Sequence, residues 1–333
     1  MAGFLRRLFG GGRKNGLSLH DYALFLETSH WTSPVEPTIT RARVPQITPR
    51  LPGIKAVIWD VYGTLLYCHH EGESRRFLEE TDAVGEAFEV TVEHFRMWPA
   101  MSKSRLSPGA YLWNQFQELA GQVVVEKNVR GNEHPEINLG NIWHHLIQRL
   151  QKGGFAYDAG VLGPPPSFAQ KVALFCDETL ERTALFPGAR EALTALKERG
   201  ILQGLACDGQ VYTGAQLVKA LARAGGARSL GAYFDPMLCS FSYEVSVARP
   251  APALYRALLK RLRDRGIEPR EVLIVGNNLG LDVALPAAMG CRTALFAGSA
   301  DTVRLQQDSG AAHRARPDAM IIEMEQVVEV AAG

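Results

Sequence analysis

The sequence predicts an α/β fold in which a parallel sheet is interrupted, after its first strand, by a helical domain. Two observations support this fold class. From residue 184 to the C-terminus, short apolar segments alternate with amphipathic helical segments, which is the pattern of parallel βαβ units. A separate apolar segment at residues 54–59 has the character of another such strand, and helical patterns occupy the chain between the two parts.

The composition is that of an ordinary globular chain, with 46% hydrophobic and 21% charged residues among 333. The net charge of +1 gives no global field that would attract nucleic acid. No apolar run approaches the roughly 18–20 residues that a membrane-spanning helix needs. The five cysteines are odd in number and form no CxxC pair, so neither a disulfide framework nor a zinc site is expected. This cysteine usage favours a reducing compartment, the cytoplasm. We therefore expect a small-molecule substrate and no stable membrane insertion, whereas the oligomeric state stays open.

Residues 1–53 differ in composition from the rest of the chain. The first 50 residues hold seven Lys and Arg against three Asp and Glu, and five prolines fall between residues 34 and 52. This composition indicates a basic, proline-rich tail and linker, either solvated or acting as a weak tag for a membrane surface or a partner. A chain that begins at Leu51 is accordingly expected to melt within a few degrees of the full chain.

The folded body begins with the segment IKAVIWDVYGTLL, residues 54–66. An apolar strand here ends in the carboxylate of Asp60, and a Gly-Thr turn follows. Residues 68–183 then show apolar side chains at three- and four-residue spacing, as in YLWNQFQELAG and NIWHHLIQRLQ, which predicts helices. Because the chain afterwards returns to alternating strands and helices, we interpret residues 68–183 as a helical cap and residues 54–67 with 184–333 as the core.

Four further strands are predicted in the second part of the core, in ILQGLACDG, MLCSFS, EVLIVGNN and CRTALF. The carboxyl ends of parallel strands meet at one edge of the sheet, where ligands bind. A carboxylate at such an edge can act as a nucleophile, a cation can stabilise negative charge, and acids can hold Mg²⁺. The residues expected at this edge are Asp60, Cys207, Asp208, Gly209, Arg249, Asn277 and Asp282.

These segments resemble the four motifs of the haloacid dehalogenase-like (HAD) hydrolase superfamily, in the same order. VIWDVYGTLL resembles the first motif, a strand followed by Asp-x-Asp-Gly-Thr, and GLACDG stands where the second motif has a strand ending in Ser or Thr. ARPAPALY resembles the third motif, Lys-Pro-x-Pro, and IVGNNLGLDVALPAAMG resembles the fourth, Gly-Asp with a second Asp downstream. The resemblance covers residues 54–300. It implies a Rossmann-like, doubly wound parallel sheet with a cap that selects the substrate.

The resemblance also implies roles for the matching residues. Asp60 would be the nucleophile, and the turn after it would form a flap beside the site. The implied catalytic set is Asp60, Tyr62, Thr64, Cys207, Arg249, Asn277 and Asp282. Asp208 and Gly209 are expected either to form a turn or to bind the substrate, and the implied metal set is Asp60, Asn277 and Asp282.

Four of these positions depart from the family's pattern. Tyr62 stands in place of the second acid, and a phenol with a pKa of about 10 is a poor proton-transfer group near neutral pH. Cys207 replaces a hydroxyl, which makes it a weaker hydrogen-bond donor. Arg249 replaces a lysine, which keeps the charge but changes its shape and reach. Asn277 replaces an acid, so Mg²⁺ binding is expected to be weak.

With tyrosine in place of the second acid, the first motif resembles that of the 2-haloacid dehalogenases, which reads Asp-x-Tyr-Gly-Thr. Those enzymes need no metal. A halide leaves as an anion without protonation, so no general acid is required there. Two classes of function stay open. The first is a hydrolase in which Asp60 attacks a small anionic substrate, either a phosphate ester or a 2-halo acid. The second is a degenerate relative that binds a ligand or a partner without turnover.

Overall fold

The computed structural model describes residues 16–29, 36–68, 77, 79, 81–101, 104–305 and 315–332. These residues form two compact units. The insert unit comprises the described residues within Met1–Pro34, Ser74–Arg182 and Gln210–Gln216. The sheet unit comprises the described residues within Val35–Glu73, Thr183–Gly209 and Leu217–Gly333.

The sheet unit is built on six parallel strands and a short antiparallel pair. The strands are β1 Ala56–Trp59, β2 Leu66–Tyr67, β3 Ala184–Leu185, β4 Leu202–Cys207, β5 Cys239–Phe241, β6 Val272–Gly276, β7 Arg292–Phe296 and β8 Ala319–Ile321. The order of the parallel strands in space is β5-β4-β1-β6-β7-β8, so the first strand of the chain lies between β4 and β6. Strand β2 precedes the inserted helices in the chain and β3 follows them, and these two strands pair with each other. The predicted parallel α/β sheet is confirmed.

Successive side chains of strand β1 point to opposite faces of the sheet, and all four are apolar. The strand is therefore buried on both faces. Val57 and Trp59 belong to one hydrophobic cluster, whereas Ala56 and Ile58 belong to another. All four side chains are fully buried. This two-sided burial is what a doubly wound sheet requires, since helices pack on each of its faces.

Helices pack against the strands and complete both hydrophobic clusters. Leu193 of helix Ala189–Glu198 packs in the cluster of Trp59, and Leu258 of helix Ala253–Arg263 packs in the second cluster. The remaining elements of this unit are helices Thr213–Arg223 (which begins in the insert unit), Ser242–Val245, Leu285–Ala287 and Gln326–Val330, 3₁₀ turns at Leu230–Ala232, Pro236–Leu238 and Pro269–Glu271, and a π-helical turn at Leu279–Ala284.

The insert unit is helical throughout its described elements. Phe88 stacks on Trp143 with ring centroids 5.4 Å apart, and it meets Phe116 edge to face at the same separation. These rings come from three different helices, so aromatic packing holds the helices together. None of the described helices of the chain is long and apolar enough to cross a membrane. The helices of the unit are Leu19–Thr28, Asp82–Phe95, Pro108–Val129, Leu139–Lys152, Ala159–Leu162 and Pro165–Leu180, with a 3₁₀ turn at Trp98–Met101.

The insert unit also contains a segment that lies outside its predicted extent, residues 68–183. Gln210–Gln216 belongs to the insert unit although it follows closely after β4. The buried carboxylate of Asp177 accepts hydrogen bonds from the Tyr212 hydroxyl at 2.8 Å and from the Gln216 amide at 2.7 Å. A buried carboxylate needs such partners. These long-range bonds hold the segment, and no local pattern in the sequence indicates them.

The prediction that residues 1–53 are tail and linker is wrong for Leu19–Thr28, which form a helix. The Ser18 hydroxyl caps this helix by accepting a backbone N–H of its first turn at 3.0 Å. Tyr22 and Phe25, three positions apart, are buried in the core of the insert unit. Basic and Gly-rich residues before the helix and prolines after it concealed this pattern. The parts of the same prediction that cover residues 1–15 and 30–35 lie outside the described residues.

Residues 36–51 pack on the sheet unit as an extended strap. Ile47 forms an antiparallel bridge with Met320 of β8, and the two N···O distances are 2.8 and 2.7 Å. The carbonyl oxygen of Thr40 accepts the N–H of Ala300 at 2.7 Å. Backbone pairing of this kind covers an edge strand of the sheet. The strap is therefore part of the sheet unit, not a linker.

Burial of an imidazole between aromatic rings makes the insert unit sensitive to acid. The His94 ring stacks on Phe175 with centroids 3.9 Å apart, and burial lowers the pKa of the imidazole from 6.5 to about 4. As the pH falls, the unfolded chain therefore takes up a proton before the folded chain does. Stability is complete above pH 6.5 and declines as the pH falls to about 4. The free energy of unfolding is expected to fall by about 3 kcal/mol over this pH range.

Chemical denaturation of the wild type, His94→Phe and His145→Gln between neutral pH and about pH 4 checks this prediction. His94→Phe keeps the ring packing but cannot bind a proton, so it should lose most of this pH dependence. His145 is an exposed histidine of the same unit, and its substitution should leave the profile unchanged. A wild-type profile in His94→Phe would contradict the assignment.

Candidate active site

Asp60 directly follows β1, at the carboxyl edge of the parallel sheet. Its backbone N–H donates to the carbonyl oxygen of Val275 in β6 at 2.8 Å, which extends the strand pairing to the residue that bears the carboxylate. The residue is only 4% exposed. Ligands of parallel α/β sheets bind at this edge. The sheet thus holds the predicted nucleophile at the expected place.

A tight turn follows Asp60 and requires glycine. The carbonyl oxygen of Val61 accepts the N–H groups of Thr64 and Leu66 at 3.3 and 2.8 Å. Gly63 has φ +77°, in the left-handed region, and a Cβ at this position would lie 2.3 Å from the side-chain nitrogen of Asn277. Only glycine meets both demands without strain. The turn brings the Thr64 hydroxyl onto the Asn277 amide.

The guanidinium of Arg249 connects three carboxylates. Its Nη2 donates to Oδ1 of Asp60 at 2.9 Å, and its Nε donates to Oδ2 of Asp208 at 3.0 Å. Its Nη1 donates to Oδ1 of Asp282. All four side chains are at most 10% exposed. Four of the residues that the sequence predicted at this edge of the sheet, Asp60, Asp208, Arg249 and Asp282, are thus in direct contact.

Asp208 uses both of its carboxylate oxygens on Arg249. In addition to the contact with Nε, Oδ1 of Asp208 accepts the backbone N–H of Arg249 at 3.0 Å. Charge-assisted pairs of this kind fix orientation as well as position. The carbonyl oxygen of Gly209 accepts a hydrogen bond from the Ser242 hydroxyl at 3.3 Å. A role of Asp208 and Gly209 in substrate binding stays a prediction.

Asp282 lies in the π-helical turn Leu279–Ala284 after β6. Asn278 caps this turn with its side-chain oxygen and donates its backbone N–H to Oδ2 of Asp282 at 2.9 Å. Gly276 leaves the necessary space, because a Cβ there would lie 2.2 Å from Cγ of Asp282. Such π-helical turns are rare and often occur at functional sites. Here the turn directs the carboxylate at Arg249.

Tyr255 joins this network and was not singled out from the sequence. Its hydroxyl lies 3.4 Å from Oδ1 of Asp282 and 3.5 Å from Nη1 of Arg249, and the residue is fully buried. Burial first, and then the charge of Asp282, raise the pKa of the phenol well above its ordinary value. The hydroxyl therefore keeps its proton. The segment ARPAPALY contains this residue, but no local pattern distinguishes a site tyrosine from a core one.

Arg249 keeps its positive charge in this network. Burial opposes the charge on Arg249, but Asp208, Asp282 and Asp60 together raise the pKa of its guanidinium well above its ordinary value. The cation is therefore permanent. Three carboxylates contact this one guanidinium, so the cation is the centre of the buried network.

Asn277 belongs to a second network. Its Oδ1 accepts the Thr64 hydroxyl at 3.2 Å, and its Nδ2 donates to the carbonyl oxygen of Thr302 at 2.6 Å. Both ends of the amide are thus engaged within the protein, and the residue is only 3% exposed. Thr302 comes from the segment after β7 and belongs to none of the recognised motifs. Sequence reasoning therefore missed it.

The predicted metal set, Asp60, Asn277 and Asp282, does not fit Mg²⁺ in this arrangement. Magnesium takes oxygen ligands at about 2.0–2.1 Å in a near-octahedral shell. Here the guanidinium of Arg249 contacts the carboxylates of both Asp60 and Asp282, and the Asn277 amide oxygen is bonded to Thr64. Within the described part of the chain, no group of three or more His, Cys, Asp or Glu side chains is arranged to hold a metal ion.

Cys207 and Tyr62 are packed in the protein interior. Cys207 ends β4 and is 1% exposed. Burial, reinforced by the charge of Asp60, raises the pKa of its thiol well above the ordinary value, so the thiol is neutral and a weak nucleophile. Tyr62 is 3% exposed and lies in the same hydrophobic cluster as Trp59. A catalytic role for either residue stays a prediction.

In sequence, the chain is similar to a family of hydrolases and to a phosphatase. The family model described as haloacid dehalogenase-like hydrolase matches residues 54–290. A ribulose-1,5-bisphosphate 5-phosphatase from Halopiger xanaduensis is 30% identical over 151 residues, which are 45% of this chain and 58% of the phosphatase. The chain thus spans less than two thirds of the length of that relative.

Similar solved structures include two dehalogenases. The 2-haloacid dehalogenase from Pseudomonas syringae pv. Tomato DC3000 is 19% identical with a TM-score of 0.50, over 84% of this chain and 98% of that chain. The L-2-haloacid dehalogenase from Xanthobacter autotrophicus is 19% identical with a TM-score of 0.44, over 84% of this chain and 99% of that chain. At this identity, the likeness to the Pseudomonas syringae enzyme concerns the fold alone.

Proposed function

Because the chain belongs to the haloacid dehalogenase-like hydrolase family, we propose that it is a metal-independent hydrolase in which Asp60 attacks a small substrate whose leaving group departs without protonation. The observation that carries the proposal is the contact of Arg249 with both Asp60 and Asp282. A permanent cation of the protein, in place of a bound ion, lies beside the nucleophile. The family match confirms the membership that the four motifs predicted.

Hydrolysis of a 2-halo acid is the reaction that suits this site best. An oxygen of the Asp60 carboxylate forms a bond to the carbon that carries the halogen, and the carbon–halogen bond breaks with both electrons on the halide. Water then adds to the carbonyl carbon of the aspartyl ester, the bond to the substrate oxygen breaks, and a 2-hydroxy acid and one proton are released. The Asp60 carboxylate is regenerated, and no group has to protonate the halide.

A phosphate ester suits the site less well. An alkyl phosphate leaves as an alkoxide that needs a proton, and a well-placed acid contributes about 10²–10⁴-fold in rate. The likeness to the Halopiger xanaduensis phosphatase supports this substrate class. Both classes therefore belong in the test.

The same contacts favour a second candidate, a protein that binds a ligand or a partner without turnover. Arg249 directs Nε, Nη1 and Nη2 at carboxylates of the protein itself. Cys207, at the place of a hydroxyl in the family's second motif, is buried and neutral. A charge network of this kind contributes to stability even when the chemistry is lost.

Two expectations from the sequence belong to the same proposal. The helical insert acts as the cap that selects the substrate, as the family resemblance implies. The protein works in the cytoplasm, which its five free cysteines support.

A substrate panel with and without Mg²⁺ tests the proposed reaction. The wild type and Asp60→Asn would be offered 2-chloropropionate, acetyl phosphate and an alkyl phosphate, in the presence of either a chelator or Mg²⁺. We expect the wild type to release chloride from 2-chloropropionate at a rate that the chelator does not change. Turnover of the alkyl phosphate should be at least about 100-fold slower, because no acid protonates its leaving group. Asp60→Asn should be inactive, since it keeps the size of the side chain but lacks the nucleophile.

Asp235→Asn is the matched control for this panel. Asp235 also pairs with an arginine, Arg265, but this pair is partly exposed on the sheet unit, so the variant should keep the wild-type rate. Mg²⁺-dependent turnover of the alkyl phosphate would contradict the metal-independent mechanism, and activity of Asp60→Asn would remove the nucleophile assignment. Inactivity of the wild type toward the whole panel would favour the second candidate.

A further inference from the structure

The side-chain amide of Asn277 contacts two consecutive residues of the turn that follows Asp60. Its Oδ1 accepts the Thr64 hydroxyl at 3.2 Å. Its Nδ2 lies so close to Gly63 that a Cβ at that residue would overlap the nitrogen. Asn277 directly follows β6, so these contacts bind the turn to the end of that strand.

The segment after β7 holds the other side of the same amide. Nδ2 of Asn277 donates to the carbonyl oxygen of Thr302 at 2.6 Å, and the backbone carbonyl oxygen of Asn277 accepts the N–H of Arg304 at 2.9 Å. Thr302 lies in a closed turn, because the carbonyl oxygen of Ser299 accepts the N–H of Val303 at 3.0 Å. The amide therefore cannot rotate without breaking a hydrogen bond on each side.

Asp60 is anchored to the end of β6 from both sides along the chain. Its own N–H donates to the carbonyl oxygen of Val275 at 2.8 Å. The turn that begins at Val61 is bound by Asn277, two positions after Val275. Within the turn, the carbonyl oxygen of Val61 accepts the N–H of Leu66 at 2.8 Å. The place of the Asp60 carboxylate between these two anchors thus depends on the Asn277 amide.

We propose that Asn277 is a positioning residue whose amide fixes the turn at residues 61–66 and, through that turn, the carboxylate of Asp60. This inference rests on the proposed function for the identity of the site. It deepens that function by giving a neutral amide a task at the place where the family's fourth motif has an acid. The task needs an acceptor toward Thr64 and a donor toward Thr302. Asparagine supplies both, whereas an ionised carboxylate supplies acceptors alone.

Hydrogen exchange of the turn tests this role without reference to turnover. The wild type, Asn277→Ala, Thr64→Val and Thr64→Ser would be compared by mass spectrometry, with helix Ala189–Glu198 of the same unit as the reference segment. Asn277→Ala leaves buried groups without their partner, so protection of residues 61–66 should fall at least about fivefold relative to the reference. Thr64→Val should produce a similar fall. Thr64→Ser keeps the hydroxyl and should stay within about twofold of the wild type.

A double-mutant cycle separates the hydrogen bond from general packing. If the Thr64 hydroxyl acts through Asn277, then adding Thr64→Val to Asn277→Ala should lower the protection by less than about a further twofold. Additive falls would mean that the two residues act independently.

Chloride release from 2-chloropropionate supplies a second readout. Asn277→Ala should lower kcat at least about tenfold, because the nucleophile is no longer held in its reactive position. The KM should change by less than about twofold, since the amide contacts the turn and not the substrate. Thr64→Ser should retain more of the wild-type kcat than Thr64→Val does.

Thr293→Val is the matched control. Thr293 is a buried threonine of β7 in the same unit, and within the described part of the chain its hydroxyl has no hydrogen-bond partner. This variant should keep the wild-type protection of residues 61–66 and the wild-type kcat. If Asn277→Ala fails to fold by circular dichroism, the comparison of Thr64→Val with Thr64→Ser decides alone.

Three results would overturn the proposal. They are unchanged protection in both Asn277→Ala and Thr64→Val, equal falls in Thr64→Val and Thr64→Ser or additive falls in the cycle, and a wild-type kcat in an Asn277→Ala protein whose turn has lost protection. If the wild type releases no chloride but the exchange changes as expected, the positioning role is supported and only the hydrolase assignment is removed.

Discussion

Replacement of Arg249 by methionine is expected to destabilise the sheet unit by about 3–5 kcal/mol and to abolish hydrolysis. The substitution leaves the carboxylates of Asp60, Asp208 and Asp282 together in a buried site without the cation that each of them contacts. Removal of one partner of a buried ion pair is costly because the remaining charge is neither hydrated nor paired. Methionine retains an apolar stem of similar length, so the loss reports charge more than a cavity. Hydrolysis fails because Asp60 is no longer oriented.

Urea denaturation at neutral pH measures the expected loss of stability, and the substrate panel measures activity. Since the pKa of Arg249 is raised, its contribution to stability is complete at every pH below the ordinary arginine value. The control is Arg265→Met, which breaks an ion pair with Asp235 whose side chains are 35% and 25% exposed. That variant should lose at most about 1 kcal/mol. Equal losses in the two variants would contradict the assigned role of Arg249.

A chain that begins at Leu51 is expected to be strongly destabilised or insoluble, which reverses the expectation from sequence alone. The deletion removes Tyr22, Phe25 and Leu26 from the core of the insert unit, and it removes Ile47 from the edge of β8. Burial of each large apolar side chain contributes about 1.5–3 kcal/mol. The combined loss exceeds about 5 kcal/mol, which is comparable with the whole stability of many domains.

Point variants in the full chain separate the contributions of the two segments. Phe25→Ala should destabilise the insert unit by about 3–5 kcal/mol, because it leaves a cavity in the core. Ile47→Pro removes the N–H that donates to the Met320 carbonyl oxygen and should destabilise the sheet unit by about 1–3 kcal/mol. Thr28→Ala, at an exposed position of the same helix as Phe25, should change stability by no more than about 0.5 kcal/mol. A deleted chain that melts within a few degrees of the full chain would restore the prediction from sequence.

Local patterns in the sequence determined most of the sheet and the place of the site. A short apolar run bounded by turn residues predicts a buried strand because burial and side-chain direction are set by the run itself. This reasoning located β1, β4, β5, β6 and β7. Parallel strands share one carboxyl edge, so Asp60, Asp208 and Asp282 could be assigned to one site without coordinates. The helix Leu19–Thr28 carries an equally local signal, but the basic and proline-rich composition around it conceals the pattern.

Only the tertiary structure decided which partners these residues have. The Asn277 amide bonds to Thr64, 213 positions away. Arg249 meets Asp60 across 189 positions and Asp208 across 41. Hydrogen bonds and ion pairs act over about 3 Å and depend on side-chain rotamers. Hydrophobic periodicity and motif order specify neither these short distances nor the side-chain rotamers. The edge of the sheet at which the site lies was therefore predictable, but the contacts between its side chains were not.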